Sequence, residues 1–393
     1  MSEVFDVTPA DDDAVGDDLP EEDTEPSSPG LASPAAYLAS VARRHQIVMV
    51  GDRRGVAQHL DVIRRAIPEL HAAGVANLAW EFTNSRRQDD LDELTTAPTW
   101  DRQRAIELFV DLLGIGHGYE DYLAVIEAAW AQNQSRPDDW PPFRIVGLGL
   151  ATYVEDPELL DGRSAGDLAL RNWWMGGHYR DVSAWHMANT ITSEVLRKGE
   201  RAVVYCDAGR SNTRFVEWVD GLPAMAPGNL LRNWMGDGIA RVVFHGAIDD
   251  DDAVERIEAL VAASPDPEAS FGLDIAASTL GNVRMHDLTG STGDGGRSFD
   301  LVDVADGYLF VEPRTAWTGV ELIGDLLQPT TIEEAERKYR ALDPRDTPYS
   351  VDELEEIREQ GRNSLVDGWP VDPNADAEES EEEPTRKRRF RRR

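Results

Sequence analysis

Charged side chains follow three apolar runs of the chain. The run IVMV leads into GDRRG, which places Asp52 two residues before Arg54, and the run VVYC leads into DAGR, which places Asp207 three residues before Arg210. The run NLAW leads directly into Glu81. Carboxylates act as general bases or orient cations, and guanidiniums bind phosphate and carboxylate groups through paired hydrogen bonds. These five side chains are therefore the first candidates for chemistry.

The elements that must position these side chains alternate between short apolar runs and amphipathic stretches. The runs have the length and the β-branched content of strands, at residues 47–50, 77–82, 143–150, 201–206, 239–246, 271–275 and 306–311. Helical periodicity occupies residues 56–73, 102–114, 122–132, 182–199 and 254–263. The alternation predicts an α/β fold with a mainly parallel sheet flanked by helices. The two similar Asp-Arg loops leave open that the chain contains two related halves.

Composition limits the classes of function. The 393 residues include 74 Asp and Glu against 39 Lys and Arg, so the net charge is −35. Such an acidic protein is unsuited to tracking nucleic acid or an anionic membrane with its folded surface. Cys206 is the only cysteine, which excludes an internal disulfide and fits a reducing compartment. The sequence shows no secretion signal and no apolar run as long as a membrane span, so we expect a cytoplasmic protein without membrane contact.

Both ends of the chain differ from the middle. Residues 1–30 are rich in acidic residues, Pro, Ser and Gly and contain no basic residue, which predicts a disordered acidic tail. Residues 40–320 contain the α/β domain, and residues 321–366 carry two N-capped helical patterns that predict an appended helical segment. Residues 367–393 join an acidic block to the basic block TRKRRFRRR. This disordered tail either contacts nucleic acid or an acidic protein, or is solvated and partly neutralised by its own acidic residues.

The chain resembles one superfamily in the order of five motifs: IVMVGDRRG, NLAWEF, RDVSAWHMANTI followed by RAVVYCDAGRSNTRF, FGLDIAASTLGN, and LVDVADGYLFVEP. This is the haem-binding-uptake and erythromycin-esterase-like superfamily, which includes the ChaN-like and Tiki proteins. The resemblance covers residues 45–315. It implies a pocket at the strand ends, in which Glu and His residues serve hydrolysis, with or without a metal, or bind haem.

The chain departs from that superfamily at the residues that matter most for chemistry. Glu81 matches, but Asp52 stands where the resemblance implies a Glu. Arg54 and Arg210 stand where it implies two histidines. A guanidinium has no free lone pair and stays charged, so it neither ligates a metal nor relays a proton near neutral pH. We therefore expect no cofactor, although the resemblance by itself implies haem or a divalent metal.

Three hypotheses for this pocket follow. In the first, the carboxylates and guanidiniums pair into inert bridges. In the second, Arg54 and Arg210 bind a small anionic ligand or partner while the carboxylates, including Asp207, orient them. In the third, the protein is a hydrolase in which Glu81 is the general base and Asp52 supports it. The second is our prediction, and a scaffold protein that acts through its charged tails is a further alternative.

Histidines elsewhere in the chain are candidates for the missing imidazoles. His178 lies in GGHYRD, a glycine-rich segment that we expect to form a loop, together with Arg180 as a further ligand-binding candidate. The alternative for His178 is a solvent-exposed loop residue. His59, His186 and His245 are weaker candidates: His245 follows a strand, whereas the other two lie in helical patterns.

Overall fold

Eleven strands and eleven helices form the part of the chain that the computed structural model describes, residues 32–150, 177–219, 222–248, 250–264, 266, 270–285, 299–342 and 345–366. The strands are, in chain order, Ile47–Asp52 (β1), Asn77–Asn84 (β2), Arg144–Gly149 (β3), Ala202–Asp207 (β4), Glu217–Val219 (β5), Leu222–Ala224 (β6), Ile239–Phe244 (β7), Phe271–Asp274 (β8), Arg284–Met285 (β9), Phe299–Asp300 (β10) and Gly307–Phe310 (β11). The predicted tails at 1–30 and 367–393 lie outside the described residues.

The helices of the described part range from one turn to five turns. They are, in chain order, Pro34–Arg44 (α1), Ala57–Ala72 (α2), Gln88–Thr96 (α3), Arg102–Leu113 (α4), Glu120–Ser135 (α5), Gly177–Glu194 (α6), Pro227–Met235 (α7), Asp251–Ala262 (α8), Leu301–Val304 (α9), Ile332–Leu342 (α10) and Val351–Val366 (α11). None of these helices combines the length and the apolar character needed to cross a membrane.

Seven strands form the main sheet in the order β3-β2-β4-β1-β7-β11-β8. Its neighbouring strands are parallel except for β11 and β8, which run antiparallel. The predicted fold class, a mainly parallel sheet flanked by helices, is therefore confirmed. Because β2, β4 and β1 are consecutive in this order, their carboxyl ends meet at one edge of the sheet.

Helices cover the sheet on both faces, and successive residues of β1 show why. Val48 and Val50 belong to one apolar cluster, which they share with residues of α1, α2, α4 and α5. Ile47 and Met49 point to the other face and join a second cluster with residues of α6 and α7. All six residues of β1 are buried, as expected for a central parallel strand with helices on each side.

Helices α10 and α11 form where the two N-capped patterns predict helices, near the C-terminal end of the described residues. Leu354 of α11 is fully buried, and Arg358 donates from Nη2 to the carbonyl of Ile323 at 2.7 Å. Lys338 of α10 is 1% exposed and lies 3.6 Å from Asp111. These helices therefore pack closely on the α/β elements, while the boundaries of the four predicted regions stay a prediction.

Gly51 allows β1 to approach the turn that follows β4. A Cβ atom at this position would lie 3.0 Å from Ala208 Cα and closer still to the Ser211 hydroxyl. We expect Gly51→Ala to lower the free energy of unfolding by about 1–3 kcal/mol, because the added methyl group overpacks this contact. Urea unfolding followed by circular dichroism measures the change.

Gly361→Ala is the matched control for this substitution. Gly361 lies in α11, and a Cβ atom there would have no neighbour within 4 Å. Alanine in an exposed helix gains up to about 1 kcal/mol over glycine, so we expect this variant to be as stable as the wild type or more stable. Equal stability of Gly51→Ala and the wild type would show that the turn after β4 is not tightly packed on β1.

Candidate functional site

Arg54 joins two neighbouring strands of the sheet. It lies in the loop after β1, and its Nη2 donates to Glu81 Oε1 at 2.7 Å and to Asp207 Oδ2 at 3.1 Å. Glu81 belongs to β2, and Asp207 is the last residue of β4. One guanidinium therefore bridges two carboxylates that the strand order places side by side.

Arg210 contacts the same two carboxylates from the turn after β4. Its Nε lies 3.1 Å from Asp207 Oδ2 and 3.3 Å from Glu81 Oε2, and its backbone N–H donates to Asp207 Oδ1 at 2.8 Å. We call Arg54, Glu81, Asp207 and Arg210 the charged cluster. The structure thus brings together four of the predicted site residues, with two positive charges facing two negative ones.

A buried arginine on β7 holds the turn that presents Arg210. Arg241 is 2% exposed, and its guanidinium donates to the carbonyl of Ala208 at 2.8 Å and to Ser211 Oγ at 3.1 Å. Its Nη1 also donates to the carbonyl of Val304 at 3.0 Å. These contacts satisfy a buried cation with backbone and hydroxyl oxygens, and they fix the conformation of the turn.

Asp52 lies beside the charged cluster without joining its ion pairs. Its Oδ2 accepts a 2.6 Å hydrogen bond from the Tyr205 hydroxyl, and its Oδ1 has no hydrogen-bond partner among the described residues. Burial raises the pKa of Asp52 to about 8, and the charge of Glu81 adds to that increase, while the Tyr205 hydrogen bond opposes it. Asp52 is therefore mainly protonated at neutral pH, so it carries no charge into the cluster.

A cavity of about 170 Å³ opens beside the charged cluster. Charged, polar and apolar side chains form its described wall, namely Arg54, Glu81, Phe82, Leu112, His117, Leu148, Gly149, Leu150, Ser183, Met187 and Arg210. Arg210 Nη1 donates to Ser183 Oγ at 2.7 Å and lies 3.0 Å from Met187 Sδ. The cavity is therefore in direct contact with both arginines and with Glu81. Asp52 and Asp207 are not among the wall residues.

His117 lies on the wall of this cavity, although no sequence pattern predicted it as a site residue. Its ring centroid is 5.2 Å from that of Phe82, and its ring nitrogens have no hydrogen-bond partner among the described residues. Burial lowers the pKa of His117 well below its usual range, and the charges of Arg54 and Arg210 lower it further. The histidine follows α4 and not a strand, so a search of strand ends passes over it. The glycines around it in GIGHGYE were the available signal.

Residues 318–323 tie the loop of Arg54 to the loop of His117. On one side, Val320 N donates to the carbonyl of Gly55 at 3.0 Å. On the other, Ile323 N donates to the carbonyl of Gly118 at 2.9 Å. Helix α11 holds the segment from outside, where Arg362 Nε donates to the carbonyl of Val320 at 3.1 Å. Two walls of the cavity therefore depend on one segment near the C-terminal helices.

Gly55 shows how closely α11 approaches the loop of Arg54. Its φ of +87° is a conformation that favours glycine, and a Cβ atom there would lie 2.8 Å from Leu365 Cβ. The position directly after Arg54 therefore accepts only glycine without strain, and it fixes where the guanidinium leaves the backbone.

The other predicted histidines take different places. His59 stacks on Phe244 at 4.2 Å between ring centroids, and burial lowers the pKa of His59 to about 3. His245 Nδ1 lies 2.7 Å from the Tyr308 hydroxyl, and its Nε2 lies 3.0 Å from Glu258 Oε1. Neither histidine belongs to the described wall of the cavity, so neither supplies an imidazole to the charged cluster.

The segment of His178 and Arg180 is helical. The sequence predicts a loop there, but α6 begins at Gly177, so the backbone of both residues lies in its first two turns. A glycine costs little at the first position of a helix, whereas it would weaken the interior, so Gly177 can begin α6. The side chains of residues 177–181 lie outside the described ones. His186, further along α6, lies 2.9 Å from Ser85 Oγ.

The side chains at the site do not fit the metal or haem that the resemblance implies. Among the described residues, no group of three or more His, Cys, Asp and Glu side chains is placed to hold a metal ion. The carboxylates of the cluster are instead occupied by guanidiniums, which have no lone pair to offer. A volume of about 170 Å³ is also below that of pockets for drug-sized ligands, roughly 300–1,000 Å³.

Known proteins resemble this chain in fold. No protein-family model matches the chain, and no curated protein matches it in sequence. A solved succinoglycan biosynthesis protein is similar with a TM-score of 0.50 and 11% identity, over 72% of this chain and 91% of that one. A mutant of the erythromycin esterase EreC in its open conformation is similar with a TM-score of 0.49 and 12% identity, over 75% and 98%. A Bacillus cereus protein has a TM-score of 0.45 and 11% identity, over 72% and 92%.

These comparisons confirm the predicted resemblance as a likeness of fold. The solved neighbours include an erythromycin esterase, and the likeness to the succinoglycan biosynthesis protein, at a TM-score of 0.50, supports a shared α/β fold. Identities of 11–12% carry no information on the residues of the site.

Asp52 gives the protein a pH-dependent stability that a substitution can reveal. Its pKa is 3.8 when unperturbed and about 8 in the folded protein, so folding favours the protonated form. The stability gained from this proton is fully present below pH 4 and is lost as the pH rises to about 8. We expect Asp52→Asn to become progressively more stable relative to the wild type across that window, as measured by urea unfolding at several pH values.

Asp237→Asn controls for the loss of a carboxylate as such. The side chain of Asp237 is fully exposed. We expect the difference between this variant and the wild type to stay small and constant over the same window. A constant difference for Asp52→Asn as well would show that Asp52 is ionised in the folded protein at neutral pH.

Proposed function

We propose that the cavity binds a small anionic ligand through Arg54 and Arg210. One observation carries this proposal: Arg54 is held in place by Nη2, while its Nη1 has no partner among the described residues. Its side chain is 36% exposed and forms part of the cavity wall. A guanidinium that is fixed by carboxylates on one side and open on the other is preorganised for a phosphate or a carboxylate.

The charge balance around the cavity permits this binding. The two guanidiniums and the two carboxylates of the charged cluster cancel, and Asp52 adds no charge because its pKa is about 8. An entering anion therefore meets the exposed side of Arg54 without net repulsion from the described residues of the cluster. The net charge of −35 lies elsewhere on the protein, and salt screens exposed charges beyond about 8–10 Å.

Two other predictions receive less support from the site. A hydrolase centred on Glu81 and Asp52 needs carboxylates that reach a substrate, but Glu81 faces two guanidiniums and Asp52 is absent from the described wall. The role of the tails in a scaffold concerns residues outside the described part, so it stays a prediction.

Titration calorimetry with inorganic phosphate and with acetate tests the anion site. We expect at least one of the two to bind the wild type. Arg54→Gln should weaken that binding by roughly tenfold to a hundredfold, because a hydrogen bond to a charged group contributes about 1.5–3 kcal/mol.

Arg53→Gln is the matched control, since it removes the same charge from the same loop at a residue outside the described cavity wall. We expect it to bind the anion nearly as well as the wild type. Equal losses in the two variants would attribute binding to the general charge of the loop, and the absence of binding by the wild type would contradict the proposal.

A further inference from the structure

We propose that the ligand is a phosphate monoester, and that His117 removes a proton from the water that hydrolyses it. This inference rests on the proposed anion site, and it adds a reaction and a catalytic residue to it. The relevant geometry is the position of His117 on the same cavity wall as Arg54, Arg210 and Ser183.

The donors around the cavity suit a tetrahedral anion better than a planar one. Two donors come from different elements, Arg54 from the loop after β1 and Ser183 from α6, and Arg210 in the turn after β4 adds its positive charge to the same wall. Ser183 Oγ accepts from Arg210, and its own hydroxyl proton has no acceptor among the described residues. A phosphoryl group presents three oxygens to such donors, whereas a carboxylate presents two.

His117 is able to accept a proton. Its pKa is depressed by burial and by the two arginines, so the imidazole is neutral near pH 7. The groups around it are the rings of Phe82 and Tyr122 and the guanidiniums of Arg54 and Arg210. The ring therefore has a nitrogen lone pair available and no described hydrogen bond that would occupy it.

The substrate itself strengthens this base. A phosphate dianion between the two guanidiniums offsets the positive charges that lower the pKa of His117, and Coulomb interactions are strong in a partly buried site. The proton affinity of the imidazole thus rises when the cavity is filled. Water in the empty cavity meets a weaker base, which couples the reaction to binding.

The reaction balances with water as the co-reactant. A water oxygen forms a bond to phosphorus while His117 accepts one of its protons. The arginines and Ser183 stabilise the charge on the three equatorial oxygens, as phosphoryl transfer requires. The bond from phosphorus to the ester oxygen breaks, and His117 returns the proton to the leaving alcohol. The products are inorganic phosphate and the alcohol.

Hydrolysis of p-nitrophenyl phosphate by the purified protein tests the inference, with calorimetry of inorganic phosphate in parallel. We expect the wild type to release p-nitrophenol. His117→Gln should lower kcat by roughly a hundredfold to ten-thousandfold, the range typical of a lost general base, and should leave the Kd of inorganic phosphate unchanged. His117→Asn serves as a second variant if the first is poorly folded.

His45→Gln is the matched control. His45 precedes β1 at the opposite edge of the sheet, where its Nδ1 lies 3.2 Å from the carbonyl oxygen of Asp237. We expect the activity of His45→Gln to equal that of the wild type. A wild type that binds phosphate but hydrolyses nothing would overturn this inference and leave the anion site standing. Full activity of His117→Gln would overturn the role of His117. Failure to bind phosphate would overturn this inference, and failure to bind acetate as well would overturn the anion site.

Discussion

The pairing of two guanidiniums with two carboxylates at one edge of the sheet is the constraint on which the site depends. It requires β2, β4 and β1 to be adjacent and parallel, and the pairing of β1 with β4 places Asp52 directly beside Asp207. Within the cluster, Glu81 and Asp207 hold Arg54 by Nη2 alone, which leaves its Nη1 without a partner among the described residues. Breaking one partner would leave a partly buried charge uncompensated, so the four residues act as a unit.

Parts of the chain that are distant in sequence support this unit. Arg241 on β7 fixes the turn of Arg210 by donating to the carbonyl of Ala208. Residues 318–323 join the loop of Arg54 to the loop of His117. Helix α11 in turn fixes that segment through Arg362. The C-terminal helices therefore contribute to the geometry of the cavity, although they supply no residue to its described wall.

Sequence patterns predicted the alternation of strands and helices and the strand-end position of Asp52 and Asp207, because hydrophobic periodicity is a local property. They also placed Glu81 after an apolar run, although β2 continues past it to Asn84. They did not reveal His117, since its loop follows a helix and reaches the cavity only through tertiary contacts with residues 318–323. They also could not separate Asp52 from the cluster, because the hydrogen bond from Tyr205 depends on how two strands face each other.

The most direct measurement of the central claim is a crystal structure of the protein soaked with tungstate, a tetrahedral dianion that is located by its anomalous scattering. The account expects one tungstate in the cavity, with oxygens within about 3 Å of Arg54 Nη1 and Ser183 Oγ, and with the ion pairs of Arg54 to Glu81 and Asp207 intact. A cavity without tungstate at saturating concentration, with Arg54 still paired, would show that the cluster is an inert structural bridge and would contradict the account.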